Sequence, residues 1–204
     1  MEYNKTRFRE LRRALHRFPE LSGKEYETAG LIKQALLQYQ PDQVMEHLGG
    51  NGIAAVFTGK DDGPSVLFRC DMDALPIYEI NQFGYKSEND GVAHKCGHDG
   101  HMAIMMGLAE AIYNDLPQRG RVILLFQPSE ENGQGAVKVL KDKKFQEIAP
   151  DFVFALHNLP GYPEGSVILR DGVFAAASKG MINRLYGKTS HAGEPENGLS
   201  PAVA

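Results

Sequence analysis

The run Val122-Ile123-Leu124-Leu125-Phe126 constrains this chain more than any other stretch. Five consecutive apolar residues leave no polar face for water, so a strand built from them must be covered on both sides. Pro117 and Gly120 break the chain ahead of the run and Gln127-Pro128-Ser129 follows it. It therefore reads as a short central strand.

The flanking elements fit a layered fold. Phe8, Leu11, Leu15 and Phe18 recur at helical spacing over residues 4–18, and Pro19 ends that helix. Ser22, with Glu25 three residues on, is a capping-box pattern for a second helix whose stripe is Ala29, Ile32, Leu36 and Leu37. Residues 53–57 and 66–69 read as two neighbouring strands joined by the turn 59–64. Residues 99–115 have helical spacing, a further helix is expected from about Gly133 to Lys141, and strands are expected at 152–156 and 167–169. This alternation predicts an α/β fold with a mixed sheet.

Small residues cluster around 175–179, and a new strand is expected at Met181–Tyr186. The chain is thus divided into a domain of residues 1–178 and the start of a second at 179–204. Ser200-Pro201-Ala202-Val203-Ala204 has an N-cap residue, Pro at the first helical position and good helix formers. A helix that begins where the sequence stops leads us to expect a truncated chain.

The net charge of −4 and pI near 6.0 argue against a nucleic-acid partner. Lys5, Arg7, Arg9, Arg12, Arg13 and Arg17 spread along the first helix with acidic neighbours and read as a solvated face. The N-terminus has no apolar signal region, and no run approaches the ~18 apolar residues that cross a bilayer. A cytoplasmic protein without a membrane partner is the expectation, with Cys70 and Cys96 unpaired.

Chemistry is densest in His94-Lys95-Cys96-Gly97-His98-Asp99-Gly100-His101, which holds three His, one Cys and one Asp in eight residues. In extended chain, residues two apart share a side, so Cys96 and His98 can converge on a transition-metal ion. A structural zinc site would bring a second paired motif, which is not found, so the site reads as catalytic and completed from afar. Strand ends supply candidates: Asp71 and Asp73, the pair Glu130-Glu131, and His157. Metal-assisted amide hydrolysis uses one carboxylate that binds metal and an unbound one that relays protons, a division that neighbouring glutamates suit. Two other readings stay open here: Cys96 as a nucleophile with His98 or His101 as base, and a purely structural or storage metal site.

Leu15-His16-Arg17-Phe18-Pro19-Glu20-Leu21-Ser22, Asp71-Met72-Asp73-Ala74-Leu75-Pro76, Cys96-Gly97-His98-Asp99-Gly100-His101, Gln127-Pro128-Ser129-Glu130-Glu131 and Leu156-His157-Asn158 together resemble the peptidase M20 family. The likeness is to its amidohydrolase branch of hippurate, N-acyl amino acid and auxin-conjugate hydrolases. It implies a zinc-peptidase-like α/β/α catalytic domain followed by the start of a smaller α+β lid through which the family forms homodimers. It implies two divalent ions, Zn²⁺ or Mn²⁺ with Co²⁺ or Ni²⁺ as further options, held by Cys96, His98, Glu131 and His157. Glu130 would be the general base and Asp73 would orient a ligand. Asp71 stands where peptidase branches carry a metal-binding His, which favours the amidohydrolase branch.

Gly187-Lys188-Thr189-Ser190-His191-Ala192-Gly193 resembles the start of the lid, where His191 would polarise the scissile carbonyl. The implied substrate is an N-acyl amino acid, with a dipeptidase or aminopeptidase on the same fold as the alternative. The family's further His ligand lies beyond Ala204, so this chain alone is expected to bind the second ion weakly and to turn over little.

Overall fold

The computed structural model describes residues 5–174 and 181–203. The chain forms two compact units, Met1–Pro160 and Gly161–Ala204.

The first unit is built around a five-stranded sheet with order β1-β2-β4-β3-β5. Its strands are β1 (Gln43–Leu48), β2 (Gly52–Thr58), β3 (Asp61–Asp71), β4 (Arg119–Gln127) and β5 (Phe152–Ala155). β1, β2 and β4 pair antiparallel, whereas β4, β3 and β5 run parallel. The sheet is mixed, as expected, and the apolar run lies on its third strand.

The alternation of side chains explains why that strand is apolar throughout. Leu124 and Phe126 of β4, with Ile53, Ala55 and Phe57 of β2, pack on one side against α1 (Lys5–Arg17), α2 (Tyr26–Leu37) and α3 (His98–Asn114). Ile123 and Leu125, with Ala54 and Val56, pack on the other side against Val139 of α4 (Gly135–Lys141) and Phe145 of α5 (Lys143–Glu147). Two cores on opposite faces of one sheet make three layers, α/β/α. β5 is an edge strand, and Phe152, Val153 and Phe154 stay more than half exposed.

Several local expectations are corrected. The strands at 53–57 and 66–69 are not neighbours, because β4 inserts between them; the expected turn at 59–64 shrinks to residues 59–60, since β3 already begins at Asp61. The capping box does not form. α2 begins at Tyr26 with no side-chain cap from Glu25, and Glu20 instead accepts the N–H groups of Glu27 and Thr28 at 3.3 and 2.8 Å. Among the described residues, 167–169 and 181–186 form no strand. Val167, Leu169, Met181 and Ile182 are at least four-fifths exposed, so no layer there fixes an extended register.

The second unit carries an isolated bridge between Lys188 and Leu199 and short 3₁₀ turns at Pro195–Asn197 and Pro201–Val203. The expected domain boundary after residue 178 falls in 175–180, outside the described residues. Cys70 and Cys96 are free. Among the described residues, no helix is long and apolar enough to cross a membrane.

Candidate metal centre

The three parallel strands all deliver chemistry at their C-terminal ends. Asp71 closes β3, Glu130 and Glu131 follow β4, and His157 stands two residues beyond β5. α3 starts beside them, with Gly97 as its N-cap at φ 96°, a left-handed value that favours glycine. A Cβ on Gly97 would also lie 2.6 Å from Asn158 Oδ1. This tight turn sets Cys96 and His98 on either side of Gly97 and against the strand ends.

Cys96 Sγ lies 3.4 Å from His157 Nε2. His98 Nε2 lies 3.8 Å from Glu131 Oε1, 3.9 Å from Glu130 Oε2 and 3.8 Å from Asp71 Oδ2. Two ligands each about 2.0–2.3 Å from a tetrahedral ion stand roughly 3.5 Å apart. The separations therefore match side chains grouped for a shared ion. Three trios have ligand atoms within 4.8 Å of one another: Cys96, His98 and His157; His98, Glu130 and Glu131; and Asp71, His98 and His101.

The histidine tautomers fit the same arrangement. His98 Nδ1 lies 2.7 Å from the carbonyl oxygen of Asp73, so it donates there and leaves the Nε2 lone pair toward the cluster. His98 Nε2 is buried without a hydrogen-bond partner, which is costly unless something else fills that lone pair. His157 Nδ1 likewise lies 2.8 Å from the carbonyl oxygen of Asn158 and turns Nε2 toward Cys96. Asp73 Oδ2 accepts the N–H of Glu131 at 2.9 Å and the Ser22 hydroxyl at 2.6 Å. Asp73 thus holds one histidine through its backbone and one glutamate through its carboxylate.

Electrostatics point the same way. Burial, opposed by the paired Arg69 and by His98 and reinforced by Glu130 and Asp73, lifts the Asp71 carboxyl to about 6. Burial and the neighbouring Glu130 raise Glu131, against the pull of His98. Burial, then the charge and hydrogen bond of Glu131, push the Cys96 thiol up to about 11. Anionic groups crowded in a partly dry cleft resist ionising, and a divalent cation is the partner that removes this conflict and holds a thiolate. The donor set fits metal.

The sequence matches the model of Peptidase family M20/M25/M40 over residues 67–196. The chain belongs to this family. It is 39% identical over 198 residues to N-acetyl-L-cysteine deacetylase of Bacillus subtilis, with 95% of this chain and 46% of that protein covered. It is 34% identical over 195 residues to N-acetyldiaminopimelate deacetylase of Exiguobacterium sibiricum, with 96% and 52% covered. Among solved structures, the Bacillus subtilis YXEP protein, described as a dinuclear metal binding peptidase from the M20 family, superposes with a TM-score of 0.72 at 37% identity. It covers 78% of this chain and 44% of its own. The chain spans about half the length of the curated M20 relatives it matches.

The first unit therefore brings together Cys96, His98, Glu131, His157, Glu130 and Asp73 of the expected set. His191 belongs to the second unit, on an exposed turn where its Nδ1 accepts the N–H of Gly193 at 3.1 Å. Asn158 has no role in the sequence pattern, yet its Oδ1 and backbone N lie 2.7 and 3.0 Å from His101 Nε2. Sequence reasoning also missed the network around His16. Asp99 lies 3.0 Å from His16 Nδ1 and 3.1 Å from Arg12 Nε. His16 Nε2 reaches Glu79 at 3.1 Å, and Glu79 also pairs with Lys95.

The turn carrying the glutamates is closely fitted. Gly135 donates its N–H to Ser129 at 2.9 Å, and a Cβ there would stand 1.7 Å from the Pro128 carbonyl oxygen. Gly135→Ala is expected to cost about 1–3 kcal/mol through forced backbone displacement, measurable by urea unfolding. Wild-type stability in that variant would show that the turn yields freely.

Proposed function

We propose that this chain is the metal-binding catalytic portion of an amidohydrolase that cleaves N-acyl amino acids into a carboxylate and a free amino acid. The observation that carries the reading is the convergence of Cys96, His98, Glu131 and His157 from separate backbone segments, with Glu130 beside them. The names of the M20 relatives support the substrate class, and the dinuclear M20 neighbour supports a pair of divalent ions.

Cys96, His98, Glu131 and His157 would hold the ions, with Zn²⁺ or Mn²⁺ as first choices and Co²⁺ or Ni²⁺ tolerated. When bound, such ions supply Lewis acidity that polarises an amide carbonyl and eases deprotonation of water. Glu130, the more exposed of the two glutamates with 40% of its side chain accessible against 18% for Glu131, faces arriving solvent. Its carboxylate takes a proton from the attacking water and returns it to the leaving amine nitrogen. Asp73 keeps His98 and Glu131 aimed while the charge rearranges. His191, in the segment that resembles the start of the lid, would polarise the scissile carbonyl across a homodimer, in the partner's site. The protein works in the cytoplasm on small molecules.

The test combines metal analysis with a substrate panel. Added Zn²⁺ at about 100 times its Kd is expected to raise the chain's stability by about 2.7 kcal/mol, and chelation to reverse that. Turnover, assayed with the complete protein, should vanish on chelation and return with Mn²⁺ or Zn²⁺. N-acetyl and N-benzoyl amino acids should be cleaved in preference to free-amine dipeptides. A chelator-resistant activity sensitive to thiol alkylation would replace this mechanism with a cysteine one, and preference for dipeptides would replace the substrate class.

A further inference from the structure

Glu25 is completely buried, yet α2 makes no use of its side chain as a cap. Its Oε1 accepts the backbone N–H groups of Gly23 and Ser129, each at 2.8 Å, and its Oε2 accepts from Asn51 Nδ2 at 3.0 Å. All three donors are neutral. A carboxylate is costly to bury unless its lone pairs are filled, and the donors here are one neighbour, Gly23, and two residues far along the chain, Asn51 and Ser129. Glu20 meanwhile covers the N-terminal amides of α2, which leaves Glu25 free for this task.

What Glu25 grips is unusual. Ser129 is buried and has φ 55°, a left-handed conformation that costs a residue with a Cβ about 1–2 kcal/mol. The next residue is Glu130. On the far side of Glu130, the N–H of Glu131 ends on Asp73 Oδ2, the same oxygen that takes the Ser22 hydroxyl. The two amides that flank Glu130 therefore both donate to carboxylates, and both carboxylates are tied to residues 22–25.

We propose that Glu25 is a positioning residue: by holding the Ser129 amide it stabilises the strained turn that aims Glu130 and Glu131 into the metal site, with Ser22 supporting the same turn through Asp73. The functional consequence rests on the reading of Glu130 as base and Glu131 as ligand given above. The hydrogen-bonded clamp itself does not. Glu25→Gln keeps one acceptor oxygen for the Gly23 and Ser129 amides, and Asn51 can turn its amide oxygen toward the new NH₂ group, so Glu25→Gln should preserve the clamp and Glu25→Ala should release it. Ser129→Gly should relieve the strain that the clamp offsets.

The test uses the 204-residue chain, with amide hydrogen exchange as one measurement and titration with Co²⁺ alone as the other. In Glu25→Ala, exchange at Ser129 is expected to quicken about tenfold or more relative to amides of β2. Co²⁺ affinity is expected to fall about 10–100-fold, while the thiolate-to-cobalt absorption from Cys96 persists at saturation. Glu25→Gln should stay close to wild type in both, and Glu25→Ala combined with Ser129→Gly should regain much of the lost affinity, a rescue that general loss of packing would not give. Glu25→Asp, which withdraws the carboxylate by one methylene, carries the same test where Glu25→Ala does not fold. Unchanged Ser129 exchange and Co²⁺ affinity in a folded Ala or Asp variant would overturn the proposal. If the wild-type chain takes up no Co²⁺, the metal reading is lost, and the exchange measurement still decides whether Glu25 clamps the turn.

Discussion

Replacing Glu130 by Gln is expected to lower kcat by about 10²–10⁴-fold while leaving metal content and KM nearly unchanged. The change keeps size and shape and removes only the ability to take and return a proton. Glu131, the more buried neighbour, is turned toward Cys96 and His98, so the ligand set survives the exchange. Glu131→Gln is the contrasting case, in which a ligand is weakened and metal should be lost together with turnover. Metal analysis of both variants, with kinetics on the complete protein, separates the roles. If Glu130→Gln lost its metal, the site would be structural. If Glu130→Gln turned over at the wild-type rate, proton transfer would belong to another group.

The pattern of what was legible follows from physical range. β4 could be read because a strand covered on both faces leaves its mark in consecutive residues, and Ile123 to Phe126 are all buried. The Cys96–His101 cluster could be read because its donors are local. β1 was missed because His47 adopts φ 63° and the register slips between Glu46 and Leu48, which interrupts the alternation that signals a strand. The order of β2, β4 and β3 was misread because a turn signal says where two strands join and nothing about a third strand entering between them. Ser22 and Glu25 have the local spacing of a capping box, but their side chains are engaged by Asp73 and Ser129, 51 and 104 residues away. Distant partners outbid a local motif whenever they bury the same polar atom more completely, and a linear reading cannot weigh that competition.

The same limit hid the network around His16, where the largest stability effect is expected. His16 is buried between Asp99 of α3 and Glu79 of the long loop that leads to α3, with His94 against its ring. The bond to Asp99 raises its pKa above 6.5, burial opposes this, and Glu79 adds to the rise. Burial alone would lift both carboxyls. The His16 bond and the charges of His94 and Arg12 bring Asp99 to about 2, and Lys95, the Ser87 N–H and His16 bring Glu79 to about 2.

His16→Ala removes the cation that both buried carboxylates share. Breaking such an arrangement from one side costs about 3–5 kcal/mol, here toward the lower figure because Arg12 and Lys95 remain. For a chain of this size the fall in Tm is on the order of 10 °C. A group whose folded pKa is raised contributes stability fully below its unfolded value near 6.5 and loses it as pH climbs through the raised folded value. The difference between wild type and His16→Ala should therefore be greatest at mildly acidic pH and shrink under alkaline conditions. Urea unfolding of both proteins across that range measures it, and a gap that widened with rising pH would show that His16 is held neutral between its carboxylates.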